Sequence, residues 1–490
     1  MCFGFFSATF LDNFNRYVDD KYKTDIRKLT RNRKASFKDI MLYPLFQNGF
    51  TGSVEAVKFI QEVTGQEDIS ISQQDIGKQR GYLSPILYKD MFKDYITEFY
   101  KNFSAEFEKD GYIWVACDGS ICKLPNTNIT REQFEIEEDT EFERHWPRAR
   151  ASCIVDVNSG LILTSEFDTT KVTEVEMAKN HLQDLNNDFN LKKFVFIFDR
   201  GYGSFELIMA LLKNGSKFII RLDSRTINKE RQKMESDDEF VNITMNKLRT
   251  KEIKDPELKK NAEQENYLNL RITNIELTNN KGKKYTETLL SNLPIEKFTK
   301  KDLKNAYGQR WLIETDYDRL KNILELENFT GHRRTIIEQD FYAKLFMFNL
   351  LIVLKLDADK KIQEKHKNKN LKHEYQIDLN HLMGILNYKF NQLAMANEKN
   401  RQKIIKQILQ LAQNKLVIKN EKRKKPSKRH KGDYQNKKFN NIYLLIFSDS
   451  RLVQQIHING DAADIIQFRL SNCCSVDFSL QHFQVHSTSS

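Results

Sequence analysis

Tyr307, Arg310, Glu314 and Lys321, in the stretch YGQRWLIETDYDRLK, follow one another at offsets of 3, 7 and 14. On a helix at about 100° per residue those offsets bring the four side chains within roughly 60° of one another. One stripe then carries a phenol, a guanidinium, a carboxylate and an ammonium. Beside it run Ile313, Tyr317, Leu320 and Leu324, with the spacing of a face packed on a core. So mixed a polar stripe is either an ordinary solvated face or a seat for a phosphate and a metal ion.

Two further carboxylates bear on the choice. YIWVACDGS is a short apolar, β-branched run that delivers Asp118 at its end, and KKFVFIFDRGYG does the same for Asp199. Taken alone, an Asp after a strand is most often a turn former or a helix cap. Taken together with Glu314, the pair forms the kind of cluster that two-metal phosphodiester cleavage requires. Hard divalent cations prefer oxygen ligands. Two of them about 4 Å apart activate the attacking oxygen and stabilise the leaving one. In this reading Asp118 bridges both ions, and Asp199 and Glu314 complete one each.

The elements that must position these groups can be traced along the chain. RARASCIVDVNSGLILTSEFD reads as two strands around Asn158-Ser159-Gly160, and EVEMAKNHLQDL as an amphipathic helix. SFELIMALLKNG makes a second helix closed by Gly215, and KFIIRL a fifth strand. The order β-β-β-α-β-α-β predicts a mixed α/β sheet with carboxylates at strand ends. Residues 223 to about 290 then alternate as a β-rich insertion, before one unbroken helix from Thr299 past Glu314. Residues 1–105 read as a helical N-terminal region. Ser53 and Ser72 are candidate caps of a helix-turn-helix that would present Gln73, Gln74, Lys78 and Arg80 to DNA. A small helical subdomain without base contacts is an equal reading. The catalytic region is expected over 106–335, and helices over 336–418, among them a buried one at LFMFNLLIVL. Residues 419–441 are a basic arm: Lys419 to Lys438 contains ten Lys or Arg residues. The segment 442–490 is atypical, with no lysine at all.

The net charge is +11, which makes nucleic acid a natural partner but proves none. The six cysteines form no C-x-x-C knuckles, so reduced thiols in a cytoplasmic protein are expected. No stretch is apolar and long enough to span a membrane.

The three carboxylate segments resemble the DDE transposases of the IS4 insertion-sequence family. CDGSICKLP is similar to the family's first block, FVFIFDRGYGSFELI to its second, and the segment around Glu314 to its third. The third carries the signature Y-x2-R-x3-E-x6-K, met in full by Tyr307, Arg310, Glu314 and Lys321. The resemblance implies an RNase H-like core with a β-rich insertion, flanked by helical N-terminal and C-terminal regions. It implies that Asp118, Asp199 and Glu314 hold two Mg²⁺ ions, with Mn²⁺ as the alternative. Arg310, Lys321, Tyr307 and Arg200 would hold DNA phosphates, with Trp311 either stacked on a base or in the core. The implied activity is cut-and-paste transposition on double-stranded DNA, both transposon ends and target, by a homodimer associated with the nucleoid. Two rivals share these residues: a nuclease that cuts without joining, and a DNA-binding derivative that has lost turnover.

Overall fold

The computed structural model describes residues 3–419, apart from 31–33, 48–50, 66–67, 69, 137–145, 224–225, 279–281, 311–312, 314–316, 318, 323, 368 and 370. Glu314, Trp311, the basic arm beyond Lys419 and the lysine-free segment therefore lie outside the described residues.

Eight strands form one mixed sheet in the order β3-β2-β1-β4-β5-β8-β7-β6. They are β1 Ile113–Lys123, β2 Arg148–Asp156, β3 Ile162–Thr169, β4 Phe194–Phe198, β5 Lys217–Leu222, β6 Asp238–Thr244, β7 Tyr267–Thr278 and β8 Lys284–Ser291. The centre is parallel, with β1 beside β4 and β4 beside β5. The other pairs are antiparallel. Every residue of β4 is buried, as a strand covered on both faces requires. The β2–β3 turn closes at Gly160, whose φ of +76° suits a residue without a Cβ. This is the mixed α/β sheet that the sequence leads one to expect. The strands of the insertion do not stand apart: β8 pairs with β5 and carries the sheet on through β7 to β6.

The strand carrying Asp118 does not end there. It runs on to Lys123, because β2 continues to pair with it from Asp118↔Cys153 to Lys123↔Arg148. The neighbour that does end is β4, whose last partner is Cys117↔Phe198. Asp118 and Asp199 are thus the next residues on two adjacent parallel strands.

Helices cover the sheet and each other. The Arg334–His366 helix is the longest among the described residues, and LFMFNLLIVL lies buried within it. The Phe3–Asp12 and Ile86–Phe103 helices pack on it, with Phe346 5.3 Å from Tyr95 and 6.0 Å from Phe10, ring to ring. The N-terminal and C-terminal helices therefore share one core. The C-terminal part is not helical throughout, as β9 (Tyr375–Ile377) pairs with β10 (Leu416–Ile418). Among the described residues the last helix ends at Ala412, ahead of β10.

In the helix-turn-helix candidate, helices do occupy Gly52–Thr64 and Gln73–Arg80, and Ser72 caps the second by accepting from the Asp75 N–H. The first starts earlier than expected, with Thr51 at the cap. Lys78 is exposed. Arg80 overturns its expectation. It is fully buried, donating to Asp340 at 2.6 Å, Gln339 at 3.0 Å and Thr330 at 2.6 Å. A guanidinium so enclosed needs those acceptors and cannot reach a phosphate.

Asp156, at the end of β2, is fully buried and accepts from the Tyr100 hydroxyl and the Asn158 N–H. Burial pushes its carboxyl up to about 6, against the lowering effect of those hydrogen bonds. The folded state then binds this proton more tightly than the unfolded chain does. Its contribution favours folding below about pH 4 and is lost as pH rises through 6, to the extent of roughly 3 kcal/mol. Urea midpoints of Asp156→Asn, read against the native protein between pH 4 and 7, should show that slope flattened.

Candidate catalytic site

The site is built where β1 and β4 part. Asp118 and Asp199 stand on strands about 5 Å apart, and a cation lies between them. The Arg310 guanidinium is 3.4 Å from Asp118 Oδ2 and 3.9 Å from Asp199 Oδ2. Its side chain is only 6% exposed, so the two carboxylates act as partners of a buried charge. The Tyr307 hydroxyl donates to Asp199 Oδ1 at 3.0 Å. Arg221, on β5, lies 3.6 Å from that same oxygen and 3.2 Å from Glu287 on β8.

These neighbours fix protonation. Burial alone would raise the Asp199 carboxyl. The Arg200 backbone N–H, the Arg310 charge, the Tyr307 hydroxyl and Arg221 together hold it below the usual carboxylate range. Burial pushes the Tyr307 phenol up to about 12, opposed by Arg221, so it stays a neutral donor.

Tyr307 ends the Lys300–Gly308 helix, which opens on a Thr299–Asp302 capping box. The unbroken helix expected here gives way to a turn at Gln309 and Arg310. The Arg310 N–H bonds to the Tyr307 carbonyl, and the Ile313 N–H to the Arg310 carbonyl. These tighter i→i+3 bonds follow Gly308, a poor helix former. Helical residues resume at Ile313, Tyr317 and Arg319–Asn322. The stripe of Ile313, Tyr317, Leu320 and Leu324 is buried, as its spacing implies. Tyr317 also donates to the Asp118 carbonyl at 3.0 Å, which fixes β1 at the carboxylate.

Lys321 does not join the two aspartates. Its Nζ donates to the Ile121 carbonyl at 2.8 Å and lies 3.7 Å from Glu327. It therefore sits beside the run of β1 beyond Asp118. Arg200 is exposed, 3.9 Å from Asp223. Among the described residues no three His, Cys, Asp or Glu converge as a metal site. The oxygen donors of Asp118 and Asp199, already sharing one cation, nonetheless have the chemistry of a divalent-cation site.

One carboxylate escaped sequence reasoning. Glu174 opens the Glu174–Asn186 helix, paired with Arg150 on β2 at 3.1 Å. A Cβ built on Gly119 would meet its Oε1 at 3.1 Å, and one built on Gly201 its Oε2 at 3.1 Å. The glycines that follow Asp118 and Asp199 therefore leave room for this side chain. Asp-Gly and Asp-Arg-Gly were visible in the sequence; the acid that needs them comes from a helix with no local mark. Gly201→Ala should destabilise the protein by about 1 kcal/mol through this contact. Adding Glu174→Ala should return most of that loss, and thermal melts of the two single variants and the double variant check the cycle.

Residues 116–350 match the model of the transposase DDE domain. The chain is 23% identical over 245 residues to the transposase InsG for insertion sequence element IS4 of Escherichia coli strain K12. The match spans 49% of this chain and 52% of that protein, about half the length of each. A piggyBac transposase, solved as a synaptic complex with hairpin DNA, aligns over 87% of both chains at 10% identity with a TM-score of 0.38. With the DDE-domain match spanning both aspartates and the signature intact around Arg310, residues 116–350 are similar to the catalytic domain of the IS4-type DDE transposases.

Proposed function

We propose that the chain is the transposase of an insertion sequence, cutting DNA at terminal inverted repeats and joining the freed end to a target. The observation that carries this reading is the Asp118–Arg310–Asp199 arrangement at the parting of β1 and β4. Residues 106–335 would be the catalytic region, with the β-rich insertion at about 223–290 inside it. Residues 1–105 would contribute DNA contacts, Lys78 among them.

Asp118, Asp199 and Glu314 would hold two Mg²⁺ or Mn²⁺ ions, Glu314 by its place in the signature. Such ions, when bound, supply activation of the attacking oxygen and neutralise charge at the scissile phosphate. The remaining work falls to this chain's own side chains. Lys321 would grip a phosphate by a charge-assisted hydrogen bond, and Arg310 would do the same once metal ions take its place between the two carboxylates. The neutral Tyr307 hydroxyl would donate to a phosphate next to the scissile one, and exposed Arg200 would reach the backbone. Cleaving both ends of an element together requires two such sites, hence a homodimer on DNA.

The test uses labelled duplexes carrying the element's own ends, with Mg²⁺, and the variants Asp118→Ala and Glu314→Ala. Expected are cleavage and strand joining by the native protein and a fall of at least about a thousandfold in each variant, the scale of losing an essential catalytic group. Cleavage without joining would instead assign a nuclease. Specific binding with no cleavage would assign a derivative that only binds DNA.

A further inference from the structure

The far end of the longest helix carries a feature that the catalytic site does not use. Beyond His366 the chain turns back toward β9, and a hollow of about 540 Å³ opens between the helix end, this turn and the residue after β10. Lys367, Lys369, Lys372 and Lys419 line it, with His366 and His373. Its single acid, Glu374, already faces Lys419 at 3.5 Å. Cations at a helix C-terminus ordinarily complement the helix dipole, which accounts for Lys367. It does not account for Lys369, Lys372 and Lys419, which come from outside the helix and converge on one concavity.

The position has a length attached to it. Lys344, on the same helix, donates to the Glu325 and Asn328 carbonyls, in the loop whose Glu327 faces Lys321. Lys344 thus marks the Lys321 end of the catalytic site. Lys367 follows twenty-three residues later, about 35 Å along the helix at 1.5 Å per residue. That is about ten base pairs of B-form DNA, one turn of the duplex.

We infer that this hollow is a second phosphate-binding site, which holds the backbone of duplex DNA about one helical turn from the cleavage point. The inference rests on the proposed function. The ligand chemistry is phosphodiester oxyanions against converging lysines. Beyond Lys419 the sequence continues the same charge, with nine further Lys or Arg residues up to Lys438.

The experiment compares the full-length native protein with Lys367→Ala/Lys369→Ala/Lys372→Ala, all exposed positions. Fluorescence anisotropy would follow binding to two end duplexes across a salt series, one extending about six base pairs from the cleavage point and one about twenty. Losing three phosphate contacts should weaken binding to the long duplex at least about tenfold and flatten its log–log salt slope by two to three, at ~0.9 per phosphate. Binding to the short duplex should be unchanged. Equal affinity and slope in variant and native protein on the long duplex would overturn the site. A tripolyphosphate titration separates the sources: binding of tripolyphosphate lost in the variant, without any effect of duplex length, would overturn DNA as the occupant. Failure of the native protein to bind either duplex would instead count against the transposase reading itself.

Discussion

Two aspartates on neighbouring parallel strands repel each other, and the site depends on what lies between them. At a strand spacing of ~5 Å and an effective dielectric near 20, two ionised carboxylates cost about 3 kcal/mol. The Arg310 guanidinium offsets this by facing both, and it is nearly buried as it does so. Tyr307 and Arg221 add a hydrogen bond and a second positive charge on the Asp199 side. The two carboxylates are therefore held close, and Asp199 below its usual carboxylate range, the arrangement in which oxygen ligands can receive a divalent cation.

The surrounding fold serves that juxtaposition. β4 stops one residue before Asp199 while β2 carries β1 onward, so one neighbour ends and the other holds the backbone straight. Tyr317 pins the Asp118 carbonyl, and Lys321 the Ile121 carbonyl three residues on. The insertion strands contribute as well, because Glu287 on β8 positions Arg221. Buried Arg80 ties an N-terminal helix to Asp340 at the start of the longest helix. That helix is further coupled to the site through Lys344.

Much of this was legible in the sequence because it is local. Apolar runs ending in Asp-Gly and Asp-Arg-Gly mark buried strands that deliver a carboxylate, and the two stripes of the Tyr307 segment show which face is buried. What was not legible depends on distant partners. Asp118 could be placed on a strand, but not the continuation of that strand, which β2 decides. Arg80 had the spacing of a DNA-facing residue; its burial is set by Gln339 and Asp340, some 260 residues away in sequence. Glu174 reaches the site only because a helix N-terminus lands beside two glycines. The break after Gly308 is a weak local preference that tertiary contacts allow to show.

The most direct measurement of the central claim is metal binding at the carboxylate pair. Mn²⁺ would be titrated into the protein bound to an end duplex, and the free ion read by electron paramagnetic resonance, with the duplex alone as reference. The account predicts two ions taken up per active site by the native protein, and loss of at least one, with weaker binding of the other, in Asp118→Asn. Uptake of the same number of ions with the same affinity in that variant would contradict it.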